Sequence, residues 1–131
     1  MEVGLKEVLF IGLAGALGSL GRWGVAEAAK HYIGAGFPWG TMIVNLVGSL
    51  LLGMLLESGL HSEIVPAHVR VPVAVGFFGA FTTFSTFSVD TVRLLETGQY
   101  AAAAANVGVS VVLGVGGAFI GIAIARYLLD A

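Results

Sequence analysis

The stretch that decides the fold is GFFGAFTTFSTFSVD, residues 76–90. It lies in a run without charged residues between Arg70 and Asp90, as a membrane span does. Its centre nevertheless carries two adjacent threonines, Thr82 and Thr83, whose branched side chains and hydroxyls compete with regular helical hydrogen bonding. The stretch therefore predicts a transmembrane helix that breaks in mid-membrane, where transport proteins commonly place ions. The alternative is a continuous packing helix whose hydroxyls bond to their own backbone.

The composition places the whole chain in a membrane. Of its 131 residues, 57% are hydrophobic and only 11% are charged, and the mean hydropathy is +0.96. A soluble domain carries about 25% charged residues. The absence of cysteine excludes disulfides, thiolate metal sites and a cysteine nucleophile.

Charged residues and turn-forming residues divide the chain into four predicted helical spans. They cover about residues 8–29, 39–56, 69–95 and 101–128, and the break falls near Thr82 in the third. Each is close to or above the roughly 20 residues that a helix needs to cross a bilayer. A polar loop is expected from Ser58 to His68. The sequence thus predicts an all-α integral membrane protein with a single four-helix domain over residues 1–131.

Small residues recur at helical spacing within these spans. In the first span they are Gly12, Gly15, Gly18 and Gly21, and in the fourth they form one face with Asn106 and Ser110. Small residues let helix backbones approach closely in lipid, so we expect most of them to serve packing. Asn106 and Ser110 add polar groups to the face of the fourth span.

The positively charged residues give almost no preference for one orientation. Four spans put both termini on the same side, with Lys6, Arg70 and Arg126, and leave Lys30, Arg93 and Arg22 for the other side. Orientation in a membrane depends on an excess of Lys and Arg on the cytoplasmic side. A balanced chain can insert both ways, which predicts an antiparallel dimer of identical chains.

Two polar side chains within the spans are candidates for chemistry. A charge such as Arg22 costs at least about 2.5–3.5 kcal/mol inside a span, so it requires a partner or a wet cavity unless it snorkels to the interface. Because no acidic residue matches it in mid-span, Arg22 favours anion handling, although Glu27 one turn later can neutralise it. Asn45 offers two donors to an anion, or a structural bond to a neighbouring helix.

Phe84 and Phe87 are spaced to share a helix face after the break. Aromatic ring edges carry positive electrostatic potential, so edge-on rings can line the path of a small anion, although phenylalanines at this spacing usually serve packing. No catalytic triad, phosphate-binding loop or pair of carboxylates is present in the sequence, so an enzyme is not predicted.

Three motifs together resemble the Fluc/CrcB family of fluoride channels. They are GFFGAFTTFSTFS at residues 76–88, GxxGALGSLGRW at residues 12–23 and WGTMIVNLVGSLLLG at residues 39–53. The resemblance covers essentially the whole chain in order, with the length and the four spans of the family.

The resemblance implies a fluoride-selective channel that exports fluoride from the cytoplasm by passive electrodiffusion, across the plasma (inner) membrane. It implies an antiparallel, dual-topology homodimer with two pores and no nucleic-acid partner. It also implies a structural Na⁺ at the dimer centre, held by the backbone carbonyls of Gly79 and Thr82 from both subunits. The fluoride pore implied in this sequence comprises Phe84, Phe87, Asn45, Ser110, Arg22, Asn106 and Thr83.

Three positions depart from the family pattern. Asn106 stands where some members carry tyrosine, Gly114 where some carry serine, and Asp90 where glutamate is common. The polar track of the fourth span is therefore thinner here.

Two other classes of protein fit part of the sequence. A proton-coupled small multidrug exporter is also short and four-helical, but it uses an acidic residue in its first span, where this chain has Arg22. A non-transporting scaffold held by its glycine stripes leaves Arg22, Asn45 and the predicted break unexplained.

Overall fold

A computed structural model describes residues 3–130, and regular structure in that part of the chain is exclusively helical. The first span is α1 (Leu5–Tyr32), the second is α2 (Trp39–His61) and the fourth is α6 (Tyr100–Leu129). The third span, Ala67–Glu96, consists of α3 (Ala67–Pro72), a π-helical segment (Val73–Phe78), α4 (Gly79–Phe81) and α5 (Phe84–Glu96). All four spans are long and apolar enough to cross a membrane, which confirms the predicted all-α, four-span architecture.

The turns between the spans follow from local chemistry. Gly34 and Gly98 have φ angles of +130° and +75°, in a backbone region that side chains with a Cβ rarely adopt. Pro38 and Pro66 immediately precede α2 and α3, where a missing N–H is harmless. The short loops return the chain across the bundle after each span.

α2 runs further than its sequence predicts. The expected loop from Ser58 is wrong at its start, because the helix continues to His61. Glu57, which marked the end of the predicted span, is only 7% exposed. The Nε of Arg126 donates to its Oε1 at 2.6 Å, and His61 Nε2 lies 3.0 Å from the same oxygen. This pairing with the end of α6 allows α2 to carry a carboxylate in its last turns.

The predicted break in the third span is present at the predicted threonines. Thr82 (φ −89°, ψ 156°) and Thr83 (φ −152°, ψ 117°) are extended and separate α4 from α5. Thr83 caps α5, since its Oγ1 accepts a hydrogen bond from the Thr86 N–H at 3.2 Å. A preceding π-helical segment, which follows Pro72, had no counterpart in the sequence prediction.

Close approach of backbones holds the spans together. A Cβ added to Gly18 of α1 would overlap the Phe77 carbonyl oxygen, and one added to Gly121 of α6 would overlap the Leu50 carbonyl oxygen. Gly12 and Gly114 instead face open space. The small-residue stripes therefore serve helix packing at some of their positions, as expected in lipid.

Candidate functional site at the break in the third span

The break releases backbone groups that a continuous helix would pair. In an α-helix the Thr83 N–H would donate to the Gly79 carbonyl, and the Phe84 N–H to the Ala80 carbonyl. With Thr82 and Thr83 extended, the last hydrogen bond before the break runs from the Thr82 N–H to the Phe78 carbonyl, at 3.1 Å. The released groups lie at membrane depth, where an unpaired polar group is costly.

Asn45 of α2 pairs with both backbone groups of Thr83. Its Oδ1 accepts from the Thr83 N–H at 2.8 Å, and its Nδ2 donates to the Thr83 carbonyl at 3.0 Å. The Asn45 amide therefore forms an interhelical hydrogen-bond pair at the break, which is one of the two uses expected for it. Its Nδ2 carries a second hydrogen that this pairing does not use.

Arg22 of α1 reaches the same break from the other side. Its Nε donates to the Ala80 carbonyl at 3.0 Å, in a partly buried position. The side chain thus points toward the break, which contradicts the snorkelling alternative. Glu27 does not neutralise it, because Glu27 Oε1 pairs with Lys30 Nζ at 3.2 Å.

The hydroxyls of the stretch mainly bond within the third span. Thr82 Oγ1 donates to the Phe78 carbonyl at 2.8 Å, and Ser88 Oγ to the Phe84 carbonyl at 2.9 Å. The Thr83 hydroxyl bonds to the Thr86 hydroxyl at 3.1 Å. Thr82 and Ser88 therefore do bond to the backbone of their own span, as the alternative expected, but the helix is nevertheless broken.

Three carbonyl oxygens at the break remain open. Within the described residues, no hydrogen bond reaches the carbonyl oxygen of Gly79, Phe81 or Thr82. They lie at the C-terminal end of the first half of the span, where the helix dipole favours positive charge. In the described part of the chain, no group of three or more His, Cys, Asp or Glu side chains is arranged to hold a metal ion. A cation at this site would depend on backbone oxygens.

Phe84 and Phe87 follow the break directly. Their ring centroids are 5.8 Å apart with planes at 47°, and Phe84 is 80% exposed in the single chain. The shared helix face predicted from their spacing is present. The Phe84 ring is therefore free to contact something outside this chain, whereas Phe87 is half-buried.

Asn106 of α6 bonds to α5 rather than to the break. Asn106, only 2% exposed, donates from Nδ2 to Thr91 Oγ1 at 3.0 Å. Thr91 Oγ1 in turn donates to the Phe87 carbonyl at 2.8 Å. Ser110 Oγ is buried and has no partner within the described residues. The structure thus brings Arg22, Asn45 and Thr83 together at the break, whereas Asn106 bonds further along α5 and the Ser110 hydroxyl bonds to none of these residues.

The sequence did not single out a cleft beside α5 that contains several polar residues. It has a volume of about 430 Å³, and its lining includes Lys30, Thr41, Thr86, Asp90 and Arg93. Thr41 Oγ1 donates to Asp90 Oδ2 at 3.2 Å across this cleft, which links the start of α2 to α5. Thr41 carried no signal in the sequence, because isolated threonines are common in helices and its partner lies 49 residues away.

Comparison with known proteins identifies relatives over nearly the full length. Residues 9–122 match the family described as "CrcB-like protein, Camphor Resistance (CrcB)". The fluoride-specific ion channel FluC of Syntrophotalea carbinolica is 49% identical over 122 residues, which cover 93% of this chain and 99% of the relative. FluC proteins of Geobacter metallireducens and Geotalea daltonii are each 43% identical over 124 residues, covering 95% of this chain and 100% of the relative.

These relatives are named as ion channels rather than as enzymes. The family match spans most of the chain and includes most of α1, the second and third spans with the break, and most of α6. The chain therefore belongs to the CrcB family.

Proposed function

We propose that this chain is a fluoride-selective channel that exports fluoride from the cytoplasm by passive electrodiffusion. The observation that carries the proposal is its 49% identity, over 93% of its length, to a relative named as a fluoride-specific ion channel. The cell's plasma (inner) membrane is the proposed location, because passive export of a cytoplasmic ion requires a pore there. The four apolar spans support a multi-pass arrangement.

The physical problem of such a pore is the hydration of fluoride. A small, strongly hydrated anion crosses only if donors in the pore replace its water. The remaining Nδ2 hydrogen of Asn45, the unpartnered Ser110 hydroxyl and the edges of Phe84 and Phe87 are suitable donors. Arg22, close to the break, supplies the positive charge that attracts an anion.

The proposed unit is an antiparallel, dual-topology homodimer with two pores. Phe84 is 80% exposed in the single chain, and Gly79 at the break is exposed too. A pore built only from one chain would leave these groups against lipid. A second, inverted copy would complete a path around them, and the balanced Lys and Arg distribution supports insertion in both orientations.

The residues at the break fit a structural Na⁺. Gly79 and Thr82 offer neutral carbonyl oxygens that no described donor occupies, and hard cations prefer oxygen ligands. Such an ion would supply fixed positive charge that ties the two halves of a dimer together. Gly79 and Thr82 would hold it, while Asn45 and Arg22 pair the neighbouring backbone groups.

The proposed function is tested by ion efflux from liposomes that contain the purified protein, read with fluoride and chloride electrodes. Rapid fluoride release with chloride retained is expected. Release of both ions would contradict the selectivity, and release of neither would contradict the channel itself. Protein-free liposomes provide the control for leakage.

A further inference from the structure

The peptide unit between Thr82 and Thr83 connects Asn45 to the proposed cation site. The Thr82 carbonyl and the Thr83 N–H belong to one planar unit and point in opposite directions. Asn45 Oδ1 holds that N–H at 2.8 Å. A fixed N–H direction fixes the carbonyl direction, so the Asn45 side chain determines where the Thr82 oxygen points.

The same hydrogen bond keeps the Gly79 carbonyl open. In a continuous helix the Thr83 N–H is the donor to Gly79. Here that N–H is occupied by Asn45, whose Nδ2 also holds the Thr83 carbonyl at 3.0 Å. Two bonds to one residue resist its return to helical geometry, so Gly79 keeps an unpaired oxygen.

Arg22 removes a competing oxygen from the same place. The Ala80 carbonyl also lost its helical donor at the break, and Arg22 Nε now bonds to it at 3.0 Å. Of the freed backbone groups, the Ala80 oxygen and the Thr83 N–H are therefore paired by side chains from α1 and α2. The oxygens of Gly79, Phe81 and Thr82 are left open, and Asn45 holds the N–H that would otherwise pair with Gly79 and that shares a peptide unit with the Thr82 oxygen.

We propose that Asn45 is the positioning residue of a sodium site, keeping the Gly79 and Thr82 carbonyls free and oriented for the cation. This role rests on the proposed function and is separate from any contact of Asn45 with fluoride. Asn45 itself does not touch the cation, because its oxygen faces the Thr83 N–H.

The test is a sodium titration of thermal stability with purified protein in detergent, N-methyl-D-glucamine chloride keeping the ionic strength constant. The wild-type melting temperature is expected to rise with sodium to a plateau. In Asn45→Leu, which has no hydrogen-bonding group, the sodium concentration at half-effect is expected to increase at least tenfold. A general packing defect would instead lower the melting temperature equally at every sodium concentration.

Asn106→Leu is the matched control. It removes another interhelical asparagine, one that bonds to Thr91 rather than to the break. A lower melting temperature with an unchanged sodium half-effect is expected for it. If Asn45→Leu does not fold, Asn45→Ser keeps a polar group that is too short to bond both ends of Thr83, and a severalfold increase in the half-effect is expected.

The proposal would be overturned if the Asn45 variants reached half of their stabilisation at the same sodium concentration as the wild type. It would also be overturned if the melting temperature of the wild-type protein did not depend on sodium. An equal shift in Asn106→Leu would also overturn it. Fluoride efflux from liposomes tests the channel independently, so a failed sodium site and a failed channel are distinguishable.

Discussion

Phe84 and Phe87 are the two aromatic residues that immediately follow the break. Their centroid separation is 5.8 Å and their planes are tilted by 47°, so the two rings do not form a stacked pair of faces. Ring edges carry the positive end of the aromatic quadrupole. An aliphatic side chain of similar bulk fills the same space without this electrostatic property.

We therefore expect Phe84→Ile and Phe87→Ile each to reduce fluoride efflux from liposomes at least tenfold, with the purified oligomer unchanged on size-exclusion chromatography. Phe119→Ile is the control, because Phe119 is also well exposed, at 76%, but belongs to α6 rather than to the helix that follows the break. Wild-type efflux in both α5 variants would rule out a role for these rings in the pore.

The sequence identified Asn45 and Arg22 as candidate residues, but it did not identify the groups to which they bond. Asn45 was recognisable as a polar residue within a span, but its partner Thr83 lies 38 residues away. Arg22 was recognisable as a charge within a span, and its partner Ala80 lies 58 residues away. Such partners depend on how the spans pack, which local sequence patterns do not encode.

At the level of elements, the break was predictable and the π-helical segment was not. Adjacent Thr82 and Thr83 carry a local signal, since their own hydroxyls compete with the helix. The π-helical segment Val73–Phe78 has no polar residue and one glycine. Its Gly76 lies so close to α1 that an added Cβ would be 2.5 Å from the Ile11 carbonyl oxygen. The π-helical geometry therefore occurs where the third span packs closely against α1.

The contact between α1 and the third span is expected to depend on Gly18. In Gly18→Ala the new methyl group would overlap the Phe77 backbone, and overpacking of this kind costs about 1–3 kcal/mol. The melting temperature in detergent should fall. Gly12→Ala is the matched control on the same helix, because nothing lies within 4 Å of its added Cβ. It should be neutral or stabilising, by up to about 1 kcal/mol from helix propensity. Equal melting temperatures for the two variants would contradict this packing.

At the level of the whole molecule, the single chain exposes much of its apolar surface. α6 is the most apolar span, with a mean hydropathy of 2.3. Its buried residues are nevertheless small or polar, namely Ala103, Asn106, Gly121 and Ala125, so its large apolar side chains are not among the buried ones. Lipid covers such a surface in a membrane, so the exposure agrees with four spans. The structure also reduces the charge available to orient the chain, because Arg126 is paired with Glu57 and Arg22 is bound at the break.

We therefore expect the chain to insert in both orientations in comparable amounts. Since the sequence has no cysteine, single cysteines at Glu63, between α2 and α3, and at Gln99, between α5 and α6, report the two sides. An impermeant maleimide added outside cells should label each variant partially. Substituting Ser62→Lys and His68→Lys in the Glu63→Cys variant should greatly reduce its labelling, because added positive charge keeps that loop cytoplasmic. The same two lysines should raise labelling at Gln99→Cys. Complete labelling at one site and none at the other in the unmodified background would contradict dual topology, and with it the antiparallel dimer.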